Sequence, residues 1–303
     1  MFYFEPENFP EKWEIVYFVT SRCNNNCNHC WSKNNFLGAE TSLMNHEKFF
    51  RCIDPSVVKE LKFSGGESTL YRELPALISL ARCYLPHHIP ITVFSNGHFL
   101  FEKDGVPKSI SSIANQLSNM ISSNLNVALH ISADEYHIAS FAKKLGIDFC
   151  VAAQYFSLAI QRVIQVSQEN GFEFKVKLHC NIGRIAYHRN KIYASLDENV
   201  WNRYFIKTEG LIKAGNALEI KESSEIQKSD MWSAFVMMGA EFSERKSDMT
   251  RDEFSLAGKK IYLNASQNGR GGVIMGWWNL INRNFIGGDV DEFIRFVNER
   301  KDY

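Results

Sequence analysis

From about residue 13 to residue 220 two hydrophobic periods take turns along the chain. Short runs of alternating apolar and polar positions, rich in β-branched and aromatic residues, are separated by stretches whose apolar residues recur every three or four positions. Trp13 to Thr20 reads as a first strand and Val58 to Ser64 as a second, with a helix around Asn45 to Arg51 between them. Leu70, Leu74, Leu77 and Ala81 make a helical stripe up to Cys83, after which Pro86 and Pro90 bracket a loop into a third strand, Ile91 to Ser95. Leu125 to Ser132 is the fourth. Phe156, Ile160, Val163 and Val166 mark a helix ending at Asn170-Gly171, a C-cap signal, and Phe172 to Asn181 then alternates as a fifth strand. Asn202 to Thr208 supplies the sixth. Strands interleaved with helices imply parallel βαβ units, either doubly wound or closed toward a barrel, with function at the strand C-termini.

Beyond residue 220 the pattern changes. Lys221 to Glu253 is charged with apolar residues at helical spacing, and Lys259 to Trp278 predicts a hairpin turning at Gln267 to Gly272. Asp289 caps a last helix carrying Val290, Phe293, Ile294 and Val297. Residues 221–303 therefore read as a small α+β element appended to residues 1–220.

Composition narrows the function. With 34 Lys+Arg against 34 Asp+Glu and 45% hydrophobic residues, the chain can bury a large core and carries no field suited to phosphate backbones or an anionic bilayer. Nucleic acid and membrane are not expected partners. Nearly uncharged apolar runs such as Val273 to Ile281 stay short of the roughly 18 residues that span a bilayer, and the acidic N-terminus lacks a signal-peptide pattern, so a cytoplasmic location is expected. Of seven cysteines, Cys23, Cys27 and Cys30 cluster, while Cys52, Cys83, Cys150 and Cys180 are scattered and read as buried small hydrophobes. An odd count with one tight cluster argues for metal over disulfides.

The cluster, Cys23-Asn24-Asn25-Asn26-Cys27-Asn28-His29-Cys30, directly follows the first strand. A structural zinc site wants four ligands, and no second pair with finger spacing follows. A cubane iron–sulfur cluster takes thiolates readily, and three of them leave one iron open to a ligand. Gly65-Gly66-Glu67 follows the second strand: glycines let a backbone approach a ligand and a carboxylate suits an ammonium group, although alone the tripeptide is an ordinary turn. Ser95-Asn96-Gly97 ends the third strand in another turn. On the fourth strand His130, Ser132 and Asp134 share a polar face opposite Val127, Leu129 and Ile131. On the fifth, Lys175, Lys177, His179 and Asn181 face away from Phe174, Val176, Leu178 and Cys180. A covered α/β sheet should be apolar on both faces, so these polar faces predict a lined cavity.

The C-x3-C-x2-C spacing, its place after the first strand and the motifs in phase with it resemble the radical S-adenosylmethionine (SAM) superfamily. The resemblance implies a partial (β/α)6 TIM-like barrel over residues 1–220, with a [4Fe-4S] cluster on Cys23, Cys27 and Cys30 whose open iron chelates SAM. It implies reductive cleavage of SAM to a 5′-deoxyadenosyl radical, driven by an external reductant such as flavodoxin or ferredoxin. Gly65, Gly66 and Glu67 would hold the methionine amino group, Ser95 and Asn96 the ribose, and Ser132 and Asp134 SAM hydroxyls or its carboxylate. His29, where the family usually has an aromatic residue, would pack near adenine; Leu211 to Ala217 resembles the segment after the sixth strand, with Asn216 in place of an arginine. His130, His179 and Asn181 remain candidates for catalytic contacts to substrate. Residues 221–303 are similar in shape to the SPASM or twitch extension, but no cysteine follows Cys180 to hold an auxiliary cluster. That absence implies a redox-neutral or reductive outcome. Only 22 residues precede Cys23, which favours a small-molecule substrate (a sugar, nucleoside or amino-acid derivative) over a ribosomal peptide. The rival from another class is a non-catalytic iron–sulfur or SAM-binding protein.

Overall fold

In the computed structural model the described residues are 13–20, 22–28, 30, 43–121, 126–180, 182–209, 233–238, 253–256, 259–265 and 272–278. The expectations for His29, Asn181, the 211–217 segment, the 267–271 turn and the last helix lie outside them. The chain divides into two units: residues 1–22, 35–92 and 228–303, and residues 23–34 and 93–227.

In the first unit β1 (Trp13–Thr20) pairs in parallel with β2 (Val58–Gly65), Tyr17 opposite Phe63. Alternation decides what is buried: Ile15, Tyr17 and Val19 are at most 1% exposed, with Leu61 and Phe63 of β2 alongside. The helix α1 (Leu43–Cys52) covers this face, placing the rings of Phe49 and Phe50 4.8 and 5.4 Å from Tyr17. The Tyr17 hydroxyl meets His46 Nδ1 at 2.8 Å, so the phenol is buried with a partner. In α2 (Leu74–Tyr84) Leu74, Leu77, Ile78 and Ala81 form the buried stripe. Cys83 lies off that stripe and is exposed, as is Cys150, which corrects the expectation that both are buried. Helical phase set their exposure, not the chemistry of the thiol.

Within the 221–253 stretch, the described residues 233–238 depart from the helical expectation. Ser233–Met238 forms β7, pairing in parallel with β1 on one side and with β10 (Gly272–Trp278) on the other. A strand flanked on both sides satisfies its backbone laterally, which overrides a helical spacing of apolar residues. The expected hairpin is present: β9 (Lys259–Ala265) runs antiparallel to β10, and β8 (Glu253–Leu256) antiparallel to β9.

The second unit carries the order β6-β5-β4-β3, each strand beside its predecessor in the chain. These are β3 (Ile91–Ser95, entering the unit at Val93), β4 (Val127–Ser132), β5 (Glu173–Cys180) and β6 (Phe205–Glu209), with β4, β5 and β6 parallel. The α/β class is as the alternation implied, and the sequential order is the winding of a barrel and not of a doubly wound sheet. Asn202 to Tyr204, expected in the sixth strand, belong to α6 (Glu198–Tyr204), capped by the Asp197 side chain. The helices α3 (Ile110–Met120) and α4 (Glu135–Leu145) both pack against α5 (Phe149–Asn170), which packs against β5, and Leu129 and Ile131 of β4 are 0% exposed. Gly171 ends α5 at φ 70°, as the Asn-Gly signal implied. At 22 residues α5 is long and apolar enough to cross a bilayer, which the count of uncharged runs missed, because Arg162 interrupts the run; half of it is buried on the core through Phe156, Ile160 and Val163.

Candidate functional site

In the first unit the Gly65-Gly66-Glu67 turn is bonded to the end of β1. Gly66 N–H donates to the Thr20 carbonyl at 2.8 Å and Glu67 N–H to the Arg22 carbonyl at 2.7 Å, Arg22 being the residue before Cys23. Gly65 has φ 134°, and a Cβ there would lie 2.3 Å from the Thr20 carbonyl oxygen, so only glycine fits the close approach. Glu67 is 2% exposed, and its Oε1 accepts from the Thr69 N–H at 3.1 Å and from the Thr69 hydroxyl, capping the 3-10 turn Ser68–Leu70.

In the second unit the cysteine loop is held from several sides. Cys23 is exposed, Cys27 buried and Cys30 intermediate, and Cys30 N–H donates to the Cys27 carbonyl at 3.1 Å. Asn25 N–H donates to Cys23 Sγ at 3.4 Å. Asn96 Nδ2, at the end of β3, donates to Asn24 Oδ1 at 2.8 Å and approaches Cys23 Sγ at 3.9 Å, while its Oδ1 accepts from His98 N–H. Ser95 Oγ accepts from Gly97 N–H at 3.0 Å, which closes the Ser-Asn-Gly turn.

Asp134 is 0% exposed and caps α4: its Oδ1 accepts from the Tyr136 and His137 N–H groups at 3.0 and 3.1 Å and contacts His137 Nδ1 at 2.8 Å. His137 also lies beside Cys27; burial pushes this imidazole down, but the Asp134 carboxylate and the Cys27 sulfur outweigh it and hold its pKa well above the usual value. Nearby His98 is pushed down to about 3 by burial and by the Lys144 and His137 charges. The Tyr193 hydroxyl donates to the Ala133 carbonyl at 2.8 Å. Glu135 N–H donates to His188 Nε2, which fixes the proton on Nδ1 toward the Arg184 carbonyl.

His130 and Ser132 are half-buried on β4. His130 lies edge-on to Phe94 at 5.3 Å, Ser132 pairs with Lys177, and Lys177 Nζ stands 4.8 Å over the Phe94 ring. His179 pairs with Thr208 in the backbone register of β5 and β6. Sequence reasoning missed His137, Ser140, Lys144 and Tyr193. The signal for the first three was a helical spacing of three and four behind an N-capping Asp134.

Among the described residues no three His, Cys, Asp or Glu side chains converge on a single metal ion. A cubane makes a different demand, since each thiolate binds a different iron. The donor chemistry fits it: three soft thiols in one loop, a backbone N–H already directed at Cys23, and a buried Asn25 Nδ2 without a hydrogen-bond partner among the described residues.

Fold and loop together define an α/β protein with parallel strands and a three-thiol loop following its first strand. No protein-family model and no curated protein matches the chain. Among solved structures it is similar to anSMEcpe with bound AdoMet, at 16% identity and TM-score 0.42 over 77% of this chain and 55% of that one. It is similar to Streptococcus suis SuiB bound to S-adenosylmethionine, at 13% identity and TM-score 0.41 over 75% and 57%. A third is BtrN in complex with AdoMet and 2-DOIA, at 20% identity and TM-score 0.31 over 40% and 45%. The chain spans about half the length of these proteins.

Proposed function

We propose that the chain is a radical SAM enzyme, with residues 1–220 as catalytic core and residues 221–303 as an extension resembling SPASM or twitch. The observation that carries the reading is the Cys23–Cys30 loop itself: three thiols following β1, an N–H donor on Cys23 and an orphan buried amide at Asn25. Cys23, Cys27 and Cys30 would hold a [4Fe-4S] cluster, which when bound supplies the electron that cleaves SAM. Glu67 and the Gly65-Gly66 backbone would bind the SAM ammonium, leaving Glu67 Oε1 on the Thr69 cap. Ser95, Asn96, Ser132, Asp134 and His29 would bound the nucleotide and carboxylate. His130, His179 and Asn181 would orient a small-molecule substrate from which hydrogen is abstracted.

The test is anaerobic reconstitution with iron and sulfide, followed by SAM and dithionite, reading 5′-deoxyadenosine and methionine by chromatography. About four iron and four sulfide per chain are expected, from one cubane, with SAM cleavage. A colourless zinc protein would sink the reading, and iron without cleavage would favour the non-catalytic binder. Hydrogen abstraction from a peptide panel in place of small metabolites would replace the substrate class and leave the chemistry.

A further inference from the structure

The cysteine loop is held by contacts that involve no metal, and three of them come from one face of α4. His137, Ser140 and Lys144 are spaced by three and four residues, so they project from one side of the helix. Each reaches a different part of the loop. His137 lies beside Cys27. Ser140 Oγ accepts from the Asn26 N–H at 3.0 Å, across 114 residues of sequence, sharing that N–H with Asn25 Oδ1 at 3.2 Å. Lys144 Nζ donates to the Asn24 carbonyl at 2.9 Å. From the end of β3, Asn96 grips the Asn24 side chain at 2.8 Å. The helix is itself fixed in place: buried Asp134 caps its start and orients His137, and Ile138, Phe141 and Ala142 seat its other side in the core.

A loop that took its shape only from the group it binds would need none of these partners. We propose that the His137, Ser140 and Lys144 face of α4, with Asn96, pre-folds the Cys23–Cys30 loop in the metal-free protein and so presents its thiols for loading. These four are positioning residues. That the loaded group is an iron–sulfur cluster rests on the function proposed above, whereas the holding of the loop does not.

The experiment is amide hydrogen exchange on the metal-free full chain, prepared anaerobically and resolved at Asn26. The wild-type amide is expected to exchange more slowly than in an unstructured peptide. With Asn25 Oδ1 still accepting, Ser140→Ala should speed it roughly twofold, the loss of the stronger arm of a shared hydrogen bond, and Ser140→Thr, which keeps the hydroxyl, should restore it. The Ser140→Ala/Lys144→Met variant should take up less iron per chain at a fixed, short reconstitution time while keeping the wild-type circular dichroism. Exchange at the unstructured rate in the wild type, or no change in Ser140→Ala, would overturn the proposal. A wild-type chain that protects Asn26 yet takes up no iron and sulfide would refute the cluster and leave the pre-folded loop standing.

Discussion

Asp134 is where a stability measurement can separate two tasks. As a SAM contact alone, its loss would leave folding untouched. The geometry gives it structural work: it is 0% exposed and its Oδ1 serves two backbone N–H groups of α4 and the His137 ring. Asp134→Ala removes a helix N-cap, about 1 kcal/mol. It also removes a charge-assisted hydrogen bond to a half-buried imidazole, about 1.5 to 3 kcal/mol. The expected cost is thus about 2.5 to 4 kcal/mol, a large share of the roughly 5 to 15 kcal/mol that holds a domain folded. Asp134→Asn keeps an effective cap oxygen and loses only the charge, so it should cost about half as much. Urea unfolding of the metal-free protein, followed by circular dichroism, gives both numbers from the midpoints at constant slope. A double-mutant cycle with His137→Ala isolates the pair. An Asp134→Ala cost under about 0.5 kcal/mol, or equal costs for Ala and Asn, would refute the capping argument.

Four further outcomes are expected. Cys23→Ala, Cys27→Ala and Cys30→Ala should each lose the cluster and SAM cleavage; one such variant with full iron content removes that cysteine from the site. Glu67→Gln, which keeps the Thr69 acceptor, should weaken SAM binding by about 10- to 100-fold with iron content unchanged; equal affinity by calorimetry would exclude the ammonium contact. Gly65→Ala should destabilise by at least about 2 kcal/mol, because φ 134° and the Thr20 carbonyl 2.3 Å from the new Cβ leave it no unstrained placement; a neutral Tm shift would contradict this. His98, held down to about 3 from the ordinary 6.5, binds its proton in the unfolded chain first, so its contribution is full above pH 6.5 and is lost as pH falls toward 3. The loss is about 2 kcal/mol at pH 5, and His98→Leu should flatten that part of the pH–stability curve; unchanged curvature would argue against a buried neutral imidazole.

Much of this protein is local and was open to reading from the chain. Strands β1 and β3 have the bounds that alternation implied, because a period of two with β-branched and aromatic residues is set by near neighbours. The cysteine spacing, the glycine at Gly65 and the Asn-Gly stop of α5 are local for the same reason: each expresses a backbone or ligand demand met within a few residues. What surrounds the thiols is not local. The Asn26 N–H finds Ser140 114 residues away, and Asn24 finds Asn96 72 residues away. Neither asparagine carries a sequence mark distinguishing it from Asn28. Ser233–Met238 became a strand because β1 and β10 offered open edges on both sides, a demand its own helical spacing could not register. Asp134 likewise shows in sequence only as a polar residue past a strand; burial and the start of α4 made it a cap and a partner for His137. The chain by itself determined its α/β rhythm and the three thiols, since both are periodic or contiguous. Only the tertiary structure decided what grips the thiols, because a hydrogen bond's strength depends on distance and angle in space and not on separation along the chain.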